Sequence, residues 1–225
     1  ARDGRGELRI RAQQRDHLFR INQSPHESHI DLFSGRLEWR GGTTLSGGSL
    51  AVRSGALLVL PRDYPGEHRL SGQTLTNLGV VIFEDGAGTL RIDEGSVFHN
   101  DRRDEEGGPS GYGQLWFLGA AAVTGTYGTL KNDGTILKGS TESNETLAYS
   151  SEATTATLDT SGLDVQLNAG SAVVVNDGTL LVRNADAGDS RTLVNGGTLA
   201  VFGAGTFSTG GNRLANAGTG VIIGT

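Results

Sequence analysis

Leu193-Val-Asn-Gly-Gly-Thr-Leu-Ala200 and Leu214-Ala-Asn-Ala-Gly-Thr-Gly-Val221 write one phrase twice: apolar, any residue, Asn, any residue, Gly, Thr, then in most copies apolar again. The phrase also stands at Val174-Val-Asn-Asp-Gly-Thr-Leu-Leu181, at Leu130-Lys-Asn-Asp-Gly-Thr-Ile-Leu137 and, with Val in place of Thr, at Leu75-Thr-Asn-Leu-Gly-Val-Val-Ile82. Its Asn residues, Asn77, Asn132, Asn176, Asn195 and Asn216, follow one another at steps of 55, 44, 19 and 21. The two short steps give the unit, and the long ones are multiples of it with an insertion. A fixed period of about 20 residues marks a solenoid, whose units cannot bury an apolar face alone and therefore stack on their neighbours.

The residues inside each unit choose among solenoids. Apolar and β-branched runs are short and are bounded by Gly, Asn, Asp and Ser, which leaves no room for the helix of a leucine-rich, ankyrin or tetratricopeptide unit. Asn followed two residues later by Gly is turn chemistry: Asn hydrogen-bonds its own backbone, and Gly accepts positive φ at no steric cost. Gly79, Gly134, Gly178, Gly197 and Gly218 are thus expected at corners between strands. Stacked at a strand spacing of roughly 4.8 Å, equivalent Asn side chains would form an internal ladder. The sequence leaves that reading open beside the simpler one, in which each Asn serves only its own turn.

Composition agrees with repetition. The chain has 225 residues with 36 Gly, 4 Pro, no Cys and no Met, and Leu, Val and Ile return too regularly for a disordered Gly-rich linker. A net charge of -6 without a basic stripe argues against nucleic acid as a partner. Lack of cysteine excludes disulfides and thiolate metal sites. No apolar run approaches the roughly 20 residues that span a bilayer, so the chain is expected not to be membrane-spanning. Ala1 opens no signal segment, consistent with processing before this numbering begins.

Residues 1–31 lie outside the repeat. They interleave Arg2, Arg5, Arg9, Arg11, Arg15 and Arg20 with Leu8, Ile10, Leu18, Phe19 and Ile21. This segment is expected to cap the first coil, which is otherwise an open sheet edge. The sharper alternative is donation of a strand to a neighbouring subunit. Residues 32–225 read as one continuous solenoid, because Gly-Ser/Thr-Leu opens strands at 48, 88, 128, 178 and 197 in both halves. Loops are expected near 61–68, 100–114 and 140–155, where polar and charged residues displace the strand pattern. Residues 1–110 hold 14 Arg and all five His, whereas 111–225 hold 5 basic and 9 acidic residues. The second half is therefore neutral in texture, and poorly guarded against association.

Leu-x-Asn-x-Gly-Thr-Leu units, joined by phrases such as Leu167-Asn-Ala-Gly-Ser-Ala-Val-Val174, resemble the right-handed parallel β-helix regions of large bacterial surface proteins: autotransporter passengers, two-partner secretion exoproteins and repetitive adhesins. The resemblance covers roughly residues 32–225. It implies an all-β, single-stranded right-handed parallel β-helix (β-solenoid) with coils of roughly 20 residues, about nine or ten of them. It also implies an elongated scaffold, extracellular or on a bacterial cell surface, that binds a host or environmental surface, a glycan, or copies of itself. The Arg-rich start matches no secretion domain.

β-Helices also carry enzymes that act on acidic polysaccharides, using clustered Asp, often with calcium, and a basic residue. Asp133 and Asp177 occupy the same place in the phrase, but Gly196 and Ala217 fill it in later copies, as corner residues do. Asp101, Asp104, Glu105 and Glu106 offer oxygen ligands for calcium, yet Arg102 and Arg103 stand among them and point to a solvated salt-bridged loop. His26-Glu-Ser-His29 lacks the spacing of a zinc helix. Asn22-Gln-Ser24 and Asn144-Glu-Thr146 are sequons too short to carry weight. The expected protein is a structural or adhesive one with no catalytic residues, no metal and no cofactor; a carbohydrate-active β-helix is the alternative. Association is expected head to tail, with Leu8, Ile10, Phe19 and Ile21 of one copy meeting Val221, Ile222 and Ile223 of the next. A chain stopping at Thr225, partway through a unit, would leave that coil uncovered.

Overall fold

The computed structural model describes residues 19–23, 28–42, 44–102, 113–139, 154–183, 192–210, 212–216 and 221–224, with the backbone alone for 19–23, 28, 29, 192 and 221. All regular structure among them is β. Strands β1 (Phe19–Gln23) and β2 (Ser28–Leu32) pair antiparallel, with Phe19 opposite Leu32 and Ile21 opposite Ile30. Every other strand pair is parallel, and the chain passes repeatedly between two curled sheets in a solenoid-like path.

The early coils use two strands each: β2 with β3 (Gly35–Glu38), β4 (Thr44–Val52) with β5 (Ala56–Leu60), and β6 (Glu67–Asn77) with β7 (Val80–Phe83). Three strands follow in each later coil. These are β8 (Gly88–Asp93), β9 (Val97–Asn100) and β10 (Gln114–Phe117), then β11 (Ala121–Thr126), β12 (Gly128–Asn132) and β13 (Thr135–Lys138). The stack continues with β14 (Thr155–Asp159), β15 (Leu163–Leu167) and β16 (Ala172–Val175), and with β17 (Thr179–Arg183), β18 (Thr192–Asn195) and β19 (Thr198–Val201). It ends on β20 (Thr206–Ser208), β21 (Arg213–Asn216) and β22 (Val221–Gly224).

The change from two strands to three happens on β6. Its first half, Glu67 to Leu70, pairs with β8, and its second half, Thr74 to Asn77, pairs with β9. Between the halves Gly72 sits at a φ of 60°, a bend that only glycine adopts cheaply. In the next coil that bend has become a turn at Glu94 and Gly95, and Ser96 Oγ accepts from the Gln73 amide at 3.3 Å. The loop expected near 61–68 is correspondingly shorter, because His68 and Leu70 already point inward from β6.

One sheet has eight strands, one per coil. There are thus eight coils among the described residues, not nine or ten. The reason lies in the steps along that sheet: Gly35 pairs with Ala56, 21 residues on, and Gln114 with Thr135, also 21 on, but Val80 pairs with Gln114, 34 on, and Thr135 with Ala172, 37 on. The two long steps carry the insertions expected near 100–114 and 140–155; residues 103–112 and 140–153 lie outside the described residues.

Parallel stacking turns the alternation of each strand into columns. Leu58, Val81, Leu115, Ile136, Val173 and Leu199 lie in register one above another, and all are buried. Leu50, Leu75, Phe98 and Leu130 form a second such column from the opposite sheet. At roughly 1.5–3 kcal/mol for each fully buried large apolar side chain, these columns dominate the stability of the stack. Phe83 and Phe117 stack with ring centroids 4.8 Å apart.

Candidate functional site

The corner where the later coils pass from one sheet to the other is the most chemically distinctive part of the fold. Asn77, Asn100 and Asn132 occupy one column in successive coils, each fully buried. Asn77 Nδ2 donates to Asn100 Oδ1 at 2.8 Å and to the Gln114 carbonyl at 2.9 Å; Asn100 Nδ2 donates to Asn132 Oδ1 at 2.7 Å and to the Thr135 carbonyl at 3.0 Å. Leu167 takes the next position, and Asn195 and Asn216 resume the column with a bond of 3.1 Å. Asn77 and Asn100 thus each bond to the next Asn and cap a strand start in the next coil.

The glycines two residues on make this packing fit. Gly79 N donates to Asn77 Oδ1 at 3.1 Å, and Gly197 N to Asn195 Oδ1 at 3.3 Å. A Cβ on Gly134 would stand 2.2 Å from the Gly113 carbonyl oxygen, and one on Gly197 2.3 Å from that of Ser171. Gly218 lies outside the described residues.

Asn176 and Gly178 do not belong to this column. Asn176 follows β16, so its phrase turns the opposite corner, from the eight-stranded sheet back to the other. Gly178, at a φ of 66°, packs there on the Thr154 carbonyl. The same six-residue phrase serves two different corners because both need an Asn-x-Gly turn between strands. Asp133 and Asp177 consequently sit at different corners, and the pair on which polysaccharide chemistry would rest is not formed. Asp177 instead lies near Lys138, a buried residue in register between Phe117 and Val175 that donates to Thr154 Oγ1 at 3.1 Å. Burial pushes the Lys138 pKa down, with Asp177 and Asp85 pulling it back up.

Asn100 was missed in the sequence because the glycine that completes its turn is Gly113, displaced by the insertion. Gly113 N donates to the Asp101 carbonyl at 2.7 Å and closes the base of that insertion. The legible signal was Phe98-His-Asn-Asp101, which repeats Leu130-Lys-Asn-Asp133 residue for residue in kind.

Beside the ladder runs a second column, Asp101 then Asp133 then Asn168, each one residue past the ladder position. His99 and Lys131 face it from β9 and β12. His99 Nε2 donates to Asp133 Oδ2 at 2.5 Å and lies 3.5 Å from Asp101 Oδ1. Lys131 Nζ is 2.9 Å from the same Asp133 oxygen, and Asn168 Nδ2 donates to Asp133 Oδ1 at 2.8 Å. Burial works to raise the Asp133 carboxyl, but the bonds from Lys131, His99 and Asn168 outweigh it and hold its pKa below the ordinary value. Arg102 donates its backbone N–H to Asp101 Oδ1 and its guanidinium to the Gly170 carbonyl. Asp104, Glu105, Glu106 and Arg103 lie outside the described residues.

The remaining expected residues are scattered. Leu8, Ile10 and His26 lie outside the described residues; Phe19 and Ile21 are on β1 and His29 on β2. β1 pairs with β2 of its own chain. Ile222 and Ile223 are 51% and 42% exposed on the last described coil, and Val221 pairs with Thr198. No helix among the described residues is long and apolar enough to cross a membrane. No protein-family model matches the chain, and no match emerged among curated proteins or solved structures.

Proposed function

We propose that the protein is a structural or adhesive scaffold, extracellular or on a bacterial cell surface, built as a single right-handed parallel β-helix that associates with copies of itself. One observation carries this reading. The inward column of Leu58, Val81, Leu115, Ile136, Val173 and Leu199 runs in register from coil to coil with each member at most 2% exposed, and the buried Asn77, Asn100 and Asn132 ladder ties coils of the same stack together. A parallel stack of this kind suits an elongated support for display or adhesion. The neutral strands of its second half are poorly guarded against association with further copies.

The carbohydrate-active alternative loses its aspartate pair, since Asp133 and Asp177 occupy different corners. Sedimentation and electron-microscope imaging of the full-length chain across a concentration series test the scaffold reading. Rods that associate into larger species as concentration rises, with β content unchanged, are expected. A monodisperse monomer at every concentration would overturn it.

A further inference from the structure

We propose that His99, Asp101 and Asp133 form a binding site for a divalent metal ion of the zinc class, held across two adjacent coils. His99 Nε2 and one carboxylate oxygen from each aspartate lie within 4.8 Å of one another. Zinc takes nitrogen and oxygen ligands at about 2.0–2.2 Å, which sets neighbouring ligand atoms about 3.4 Å apart in a tetrahedral site. The 3.5 Å between His99 and Asp101 already matches. The 2.5 Å bond between His99 and Asp133 must open by about 1 Å as the ion replaces the proton they share.

The imidazole decides the class of ion. Calcium and magnesium take oxygen ligands, whereas one imidazole with two carboxylates suits zinc and its neighbours. Three protein ligands leave a fourth position for water or a ligand from outside. The site is built ahead of the ion: Asn168 holds Asp133 Oδ1 and leaves Oδ2 beside His99, and the Asn100–Asn132 bond of 2.7 Å pins the backbone beside both aspartates. Parallel register brings Asp101 and Asp133 together, and His99, two residues before Asp101 on the same coil, reaches both.

Lys131 is the competitor. Its ammonium lies 2.9 Å from Asp133 Oδ2, the oxygen the ion would take, on a long side chain that is 38% exposed and free to swing into solvent. A metal site and a plain ion-pair network therefore differ in what Lys131 does. In the first it opposes the ion; in the second it only holds the corner.

Titrating the full-length chain with zinc chloride by calorimetry, and with cobalt(II) by visible absorption, tests the site. One equivalent is expected to bind, with affinity lowered at least roughly tenfold in His99→Ala and in Asp133→Asn, and unchanged or raised in Lys131→Ala. The d–d absorption of bound cobalt should disappear in His99→Ala. Should His99→Ala fail to fold, His99→Gln keeps the size of the side chain and removes the imidazole. The site is overturned by absence of binding, by equal affinity in folded His99 variants, or by loss of binding in Lys131→Ala.

Discussion

Asn100 accepts a hydrogen bond from Asn77 one coil before it and donates one to Asn132 one coil after it, at 2.8 and 2.7 Å. A single fully buried amide thus ties three coils together, and it also caps Thr135, the first residue of β13. Replacing Asn100 by Leu leaves a donor on Asn77, an acceptor on Asn132 and a carbonyl on Thr135 without their partner. A cost of about 1–3 kcal/mol is expected. Asn176→Leu, off the column and half-buried, should cost less. Urea unfolding followed by circular dichroism ranks the two.

Leu167 interrupts the ladder between Asn132 and Asn195. Burying an amide in a core ordinarily costs several kcal/mol, yet here each side offers an Asn. Leu167→Asn is therefore expected to cost at least 1 kcal/mol less than Leu130→Asn, whose column neighbours Phe98 and Val165 offer no hydrogen bond. Equal losses for the two substitutions would show that the ladder does not propagate.

Glycine substitutions separate close approach from mere turn preference. A Cβ at Gly113 would meet the Asn77 carbonyl oxygen at 2.1 Å, whereas one at Gly224 meets nothing within 4 Å. Gly113→Ala should destabilise the protein by several kcal/mol, and Gly224→Ala should change stability by less than about 0.5 kcal/mol. Thermal unfolding of the two variants checks the contrast.

The stack is expected to weaken in mild acid because of His68. It occupies an inward column with Leu90, Val123, Leu158 and Val182, donates Nε2–H to the Trp39 carbonyl at 2.8 Å, and has no partner described for Nδ1. Burial lowers its pKa, against the pull of the Trp39, Thr89 and Gly66 carbonyls. The unfolded chain therefore takes up a proton near the ordinary value of about 6.5 before the native chain does. Stability falls as pH drops below that value and levels off once the native pKa is passed. Asp133, whose pKa is also lowered, adds a second loss only at lower pH, below the ordinary carboxylate value. Unfolding free energies measured from pH 7.5 to 5 should slope downward, and His68→Leu should flatten that slope.

Much of the stack could be read in the sequence because its period and alternation are local. Apolar residues at Leu75, Leu130 and Leu193, each two before an Asn, mark both a strand and the corner that ends it. Phase was not legible at Val174 to Leu181, since the corner at Asn176 uses the same turn chemistry as those at Asn132 and Asn195. Nor was the ladder position of Asn100, whose glycine is 13 residues away at Gly113. The His99, Asp101 and Asp133 cluster was illegible for a related reason: it depends on which coil lies above which, and an insertion hides that from a count along the chain.

The scaffold account holds that a protected stack associates with copies of itself, and sedimentation of the chain across a concentration series, with hydrogen exchange on the same samples, measures this most directly. The sedimentation coefficient is expected to rise with concentration while the amides of β10 and β13 stay equally protected throughout. A single monomeric species at every concentration would contradict it.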